Sequence, residues 1–258
     1  MESLSKLIAA AGVASRRKAA EIVRSGRVRV DGVTVTEPGT RVDAASSMIE
    51  VDGHRLCVEQ KRYLVLNKPR GPLSTVKDYR GRRTVLDVLP EMKERLYPAG
   101  RLDADTEGLL VLTNDGDLTY RLTHPRFGVE KVYEAEVVGA LSRKDISILE
   151  DGMMLEEGAT GPATVRVLKE GDRTSSIEIT VHAGRKRMVR RMLKAVGHPV
   201  VGLKRIRVGL LELGGLKPGE WRWLTDAEVE ALKATTSETA PGKEGGCSRE
   251  SSEAPNDG

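Results

Sequence analysis

The chain has 258 residues, 39% hydrophobic and 31% charged, enough for one large core or for a large and a small one. No run approaches the roughly 20 apolar residues of a membrane span, and "MESLSKLIAAAGVASRRKAA" breaks its apolar run too early for a signal peptide, so a cytoplasmic protein without a membrane partner is expected. Cys57 and Cys247 lie outside any Cys/His cluster of ligand spacing, which argues against a zinc site or disulfide framework, and the net charge of +4 says less than its distribution.

In chain order, residues 1–60 read as a separate small module. Leu4 to Ala11 is a short helix stopped by Gly12, Ser15 caps a second helix that Gly26 ends, and "RVRVDGVTV" is a hairpin turning at Asp31-Gly32. Arg16, Arg17 and Lys18 fall in the first turn of the second helix, where the helix dipole disfavours each cation by about a few tenths of a kcal/mol. A phosphate docked there would use both the cations and the free N–H groups; an ordinary solvated turn is the alternative.

From Lys61 to residue 234 the pattern is mixed. "RYLVLNKPRGPLST" is a strand followed by a Pro/Gly loop, "GLLVLT" is a buried strand, and Asp115-Gly116 leads into a short helix that Pro125 stops. In "EKVYEAEVVG", alternation puts Lys131, Tyr133, Ala135 and Val137 on one face. Ser142 and Asp145 form a capping box, with Leu141 and Ile146 as its hydrophobic staple. "ATVRVLK" and "SSIEITVHAG" flank "EGDRT" as a hairpin. "RKRMVRRMLKAVGH" is read as a helix with Met188, Val189, Met192, Leu193 and Val196 along one side and Gly197 at its end. A capping box from Thr225 to Glu228 starts a last helix. Residues 235–258 hold no apolar side chain larger than alanine apart from Cys247, so a disordered tail without chemistry is expected.

Two features ask for a function. Between Gly184 and Leu211 stand nine Arg or Lys residues and no acid, a stripe suited to phosphates. In "GRLDADTEGLLVLTND", the carboxylates Asp103 and Asp105 immediately precede the most apolar strand. A metal-dependent nuclease would use them, with Asp115, as magnesium ligands. A glycosidase-like enzyme would use a nucleophile and an acid, and a binding protein would use them as turn residues. Spacing does not choose among the three.

Two resemblances do. "SRRKAAEIVRSGRVRVDGVTV" resembles the S4 RNA-binding domain, which implies that Arg16, Arg17 and Lys18 grip structured RNA. "GRLDADTEGLLVLTNDG", with "NKPRG" before it and "EKVYEAEV" and "GRKRMVRRMLKAVG" after it, is similar to the ribosomal pseudouridine synthases of the RsuA-like family, over roughly Leu4 to Leu232. The implied fold class is α+β, an S4 domain followed by a mixed, mainly antiparallel sheet with flanking helices. The implied reaction breaks the N1–C1′ bond of a uridine within RNA, turns the base and rejoins it through C5, with no cofactor and no metal.

The same resemblance implies residue roles. Asp103 would be the nucleophile, Arg190 its ion-pair partner, and Tyr133 the ring that stacks on the extruded base; Asp105 would be secondary. Lys68 and Arg101 would contact substrate in the cleft, and Arg185, Lys186 and Arg187 would hold phosphates to offset base flipping. Met188 stands where the family often has a polar residue. The wording of "DTEGLLVLTNDG" and "VRRML" is closer to the large-subunit than to the small-subunit enzymes, so the expected partner is large-subunit ribosomal RNA, free or in assembling subunits, bound by a monomer.

Overall fold

Leu4, Leu7 and Ile8 line one side of helix α1 (Leu4–Ala10), and Ala19, Ile22 and Val23 line one side of α2 (Arg16–Arg24). The two stripes close on Val28, Val42, Ile49 and Val51 to form a small core of their own. The computed structural model describes residues 1–57, 59–156 and 158–235. Ser15 caps α2 by accepting the Lys18 N–H at 3.3 Å. Strands β1 (Val28–Val30) and β2 (Val33–Val35) turn at Asp31 and Gly32, whose φ of 49° and 81° are the paired positive values of a type I′ turn. A second hairpin, β3 (Ile49–Val51) and β4 (His54–Arg55), turns the same way at Asp52 and Gly53, giving a four-stranded sheet in the order β2-β1-β3-β4. The sequence suggested one hairpin only; a two-residue strand is too short to show alternation.

The larger part contains β5 (Tyr63–Lys68), β6 (Glu107–Thr113), α3 (Gly116–Thr123), β7 (Lys131–Val138), α4 (Arg143–Asp151), β8 (Ala163–Lys169), β9 (Thr174–Val181), α5 (Met188–Ala195), β10 (Val200–Val208), β11 (Trp221–Trp223) and α6 (Asp226–Thr235). One sheet runs β8-β9-β7-β10-β6-β5-β11, with short strands Tyr97–Pro98 on β6 and Leu211–Glu212 on β10. Every pairing in it is antiparallel except β10 with β6, the mixed, mainly antiparallel arrangement of an α+β protein. At that exception Gly108 faces Arg205, and a Cβ on Gly108 would lie 2.2 Å from the Arg205 carbonyl oxygen. Glycine is what lets these two strands meet.

The unbroken apolarity of "GLLVLT" has a simple cause. Leu110 and Leu112 join one core cluster with Leu64, Leu66, Leu149, Val189, Met192 and Leu193, whereas Leu109 and Val111 join another with Val65, Leu118, Leu122 and Leu232. Helices α4 and α5 therefore cover one face and α3 and α6 the other, so alternate residues of β6 are buried on both sides. Each fully buried leucine of this strand contributes roughly 1.5–3 kcal/mol. The two parts of the chain touch through a 2.7 Å ion pair from Lys6 to Asp117 and a 2.9 Å hydrogen bond from Arg95 to the Ala14 carbonyl.

Three expectations change. The basic helix begins at Met188, not Arg185, because Arg187 sits in the left-handed region at φ 53° and cannot be helical. The segment 200–208, read only as part of a basic stripe, is a central strand. The last helix runs through Thr235, and the remainder of the expected tail lies outside the described residues.

Candidate active site

Residues 100–106 form the loop that enters β6, and "NKPRG" is the device that shapes it. Lys68, wholly buried at the end of β5, donates from Nζ to the carbonyls of Pro69 at 3.0 Å, Asp103 at 3.2 Å, Ala104 at 3.4 Å and Thr106 at 3.0 Å. Burial pulls this ammonium down to about 8, against the upward pull of Asp105, Asp103 and Glu107. The Gly71 N–H reaches the Ala104 carbonyl at 2.8 Å, and Ser74 Oγ both donates to the Leu102 carbonyl and accepts the Leu102 N–H. The backbone around Asp103 is thus fixed on both sides.

The Asp103 carboxylate is left unused by this scaffold. Among the described residues it makes no hydrogen bond and no ion pair. It lines a cavity of about 420 Å³, with Tyr133 from β7, Arg205 from β10, Lys131, and an apolar wall that includes Leu102, Leu203 and Val189. Arg101, Arg185, Lys186 and Arg187 also line the cavity and are exposed, so they form its rim. Met188, by contrast, is buried in the wall.

Asp105 takes the arginines. Arg187 grips its two carboxylate oxygens at 2.9 Å each, which holds Asp105 below the usual carboxylate range and Arg187 above its own. Arg190 Nε stands 3.5 Å from the same carboxylate, and Arg190 Nη2 donates to the Asp105 carbonyl at 2.8 Å. Burial lowers the Arg190 guanidinium, with Asp105 and then Asp103 opposing that shift.

Residues 62–195 match the model for RNA pseudouridylate synthase, and residues 2–48 match the S4 domain. The chain is 47% identical over 236 residues to "Ribosomal large subunit pseudouridine synthase B" of Bacillus subtilis (strain 168), covering 91% of this chain and 96% of that one. It is 42% identical to an "Uncharacterized RNA pseudouridine synthase" of Aquifex aeolicus (strain VF5), covering 89% and 92%. The structure matches "Crystal structure of pseudouridylate synthase" with a TM-score of 0.65 and 31% identity, covering 90% of this chain and all of that one. This chain belongs to the RNA pseudouridylate synthase family.

The cavity brings together some of the residues singled out by the motifs and leaves others outside it. Asp103 and Tyr133 share the cavity, and Arg101, Arg185, Lys186 and Arg187 rim it, as read from the motifs. Lys68, expected to contact substrate, is fully buried, lines no part of the cavity, and spends its ammonium on the carbonyls of the loop. Arg190 does not pair with Asp103. The loop turns between positions 103 and 105, so the first carboxylate meets the cavity and the second meets the arginines.

Arg190 and Arg191, alike in sequence, separate clearly. Arg190 turns toward the loop, whereas Arg191 donates to the Lys186 carbonyl. Asp115, a candidate metal ligand by spacing, is occupied: it caps α3 through the N–H groups of Asp117 and Leu118, accepts the Tyr63 hydroxyl at 2.9 Å and pairs with Lys61 at 3.0 Å. Among the described residues, no group of three or more His, Cys, Asp or Glu side chains could hold a metal ion, and no helix is long and apolar enough to cross a membrane. Arg205 and Ser74 were missed by sequence reasoning. The signal for Arg205 was present, since alternation in "VVGLKRIRV" puts Leu203 and Arg205 on one face.

Proposed function

We propose that this protein converts uridine to pseudouridine in large-subunit ribosomal RNA. The observation that carries the reading is the free Asp103 carboxylate sharing one cavity with Tyr133. A relative named as a large-subunit pseudouridine synthase, 47% identical along nearly the whole chain, favours that substrate.

In this reading the target uridine is flipped out of folded RNA, at a cost of a few kcal/mol, and enters the cavity. Tyr133 stacks on the base, and Asp103 acts on the sugar or the base as nucleophile, a role a carboxylate fills without metal or cofactor because it can form and release a covalent bond. Arg190 works through Asp105: by holding that residue's carboxylate and carbonyl, it fixes the loop from which Asp103 projects. Arg101, Arg185, Lys186 and Arg187 take the phosphates at the rim, and Arg16, Arg17 and Lys18 take phosphates at a second point. The enzyme acts as a monomer, in the cytoplasm where that RNA is found, on free RNA or on assembling subunits.

The test is Asp103→Asn assayed on a large-subunit ribosomal RNA transcript, with and without EDTA. The expected result is loss of pseudouridine formation by at least about 10⁴-fold with RNA affinity retained, and wild-type turnover unaffected by chelation. An active Asp103→Asn protein would overturn the nucleophile. Modification of a small-subunit transcript instead would overturn the substrate.

A further inference from the structure

The floor of the cavity holds two cations that the reading above does not use. Lys131 is 9% exposed and Arg205 is 5% exposed, and both line the same cavity as Asp103. Tyr133 and Arg205 are directly opposite partners across β7 and β10, so their side chains share a face; Lys131, two residues before Tyr133, lies on that face too. Lys131 Nζ donates to the Val129 carbonyl at 2.6 Å and Arg205 Nε to the Leu109 carbonyl at 2.9 Å. Neither enters an ion pair among the described residues. Buried cations are normally paired, because an uncompensated buried charge is costly. Here two sit close enough to repel: after burial, Arg205 is the second cause holding Lys131 down to about 8. An arrangement that raises the energy of the empty protein in this way suits a site waiting for negative charge.

The occupant follows from depth. The exposed Arg101, Arg185, Lys186 and Arg187 meet phosphates at the rim, whereas Lys131 and Arg205 lie among apolar side chains beside the stacking tyrosine, where the base goes. We propose that Lys131 and Arg205 form an anion seat for the detached uracil, an inference that rests on the isomerase reading. When the N1–C1′ bond breaks, its electron pair leaves with the base, and the resulting single negative charge spreads over N1, O2 and O4. The seat stabilises that charge while the ring turns. With C1′ held by the Asp103 carboxylate, C5 then bonds to C1′ as the Asp103–C1′ bond breaks and its electron pair returns to the carboxylate; the C5 proton is lost, N1 gains a proton, and the charge on the base is gone. Donors aimed at charge that develops only during reaction accelerate the chemical step rather than binding.

The experiment uses the full chain and a large-subunit ribosomal RNA transcript tritiated at uridine C5, followed by tritium release in single turnover at saturating RNA. Lys131→Met is expected to slow release by about 10²–10³-fold with RNA affinity unchanged, and Lys131→Arg to recover to within about tenfold of wild type. A transcript made with 5-fluorouridine provides the decisive arm. Fluorine itself stabilises the departing anion, so the Lys131→Met defect, read as consumption of 5-fluorouridine in nuclease digests, should shrink to less than about tenfold. Equal defects on both transcripts would assign Lys131 a structural role and overturn the seat, as would Lys131→Met releasing tritium at the wild-type rate. Absence of release by the wild-type protein would overturn the isomerase reading itself, and the seat with it.

Discussion

Arg187 and Asp105 form a two-pronged ion pair, each N–H reaching its own carboxylate oxygen at 2.9 Å, across the gap between the loop before α5 and the loop before β6. The pair closes the two loops that rim the cavity. Both side chains are nearly half exposed, at 43% and 46%, so its stabilisation is at most about 1 kcal/mol. Asp105→Ala should therefore leave the melting temperature within a few degrees of wild type while slowing single-turnover pseudouridine formation by about tenfold or more, because loose loops misplace Asp103. Calorimetry together with single-turnover assays checks this; a fully active variant would show that the bridge is only a surface pair.

Arg190→Lys keeps the charge but loses the planar fork that spans the Asp105 carboxylate and carbonyl. A fall in turnover of about 100-fold is expected, whereas Arg191→Lys should stay within a few-fold. Since Arg190 does not line the cavity, the affinity for RNA should be unchanged in both. Equal effects of the two substitutions would contradict the division seen in the structure.

Lys68→Met removes four carbonyl contacts at once; the Asp103 and Ala104 carbonyls keep backbone donors from Thr106 and Gly71, whereas the Pro69 and Thr106 carbonyls lose the Lys68 donor. A loss of about 2–4 kcal/mol in urea unfolding is expected, along with most activity. An unfolding midpoint like that of the wild type would mean that the loop is held by Ser74 and Gly71 alone.

The pH dependence of stability isolates Lys131. Its folded pKa of about 8 lies below the ordinary 10.5, so between these values the unfolded chain binds more protons than the folded one, and stability rises with pH. The destabilisation is complete below about pH 8 and is relieved toward pH 10.5. Relative to Lys131→Met, the wild-type protein should gain stability from pH 8 to 10; urea unfolding of both proteins across that range measures the difference, and parallel curves would rule out the depressed lysine.

At the start of α2, Arg16 and Arg17 enter no ion pair among the described residues, while Lys18 pairs with Glu21 at 3.0 Å. Replacing all three with Gln should lower the slope of log affinity against log salt by about two, one for each unpaired cation, and leave the maximal single-turnover rate near wild type. Filter binding at several salt concentrations would expose an unchanged slope, which would make this turn a merely solvated surface.

Sequence determined whatever depends on local geometry. Ser15, Ser142 and Thr225 cap the helices expected of them, Asp115-Gly116 leads into its helix, Asp31-Gly32 turns its hairpin, and the alternation in "EKVYEAEVVG" places Lys131 and Tyr133 on one buried face, because caps, turns and strand periodicity are set within a few residues. The motifs likewise brought Asp103, Tyr133 and the basic rim to attention. Tertiary structure alone decided which partner each charge meets. Asp103 and Asp105 are two residues apart, and Arg190 and Arg191 are adjacent, so spacing could not assign the pairs; the loop clamped by Lys68 turns one carboxylate to the cavity and gives the other to Arg187 and Arg190. Arg205 reached the site only through the pairing of β10 with β7 and β6, contacts between segments roughly 70 to 100 residues apart in the chain. Burial of a charge is a property of everything packed around it, which is why alternation could put Lys131 and Arg205 each on a strand face but only the assembled sheet set both in the floor of one cavity.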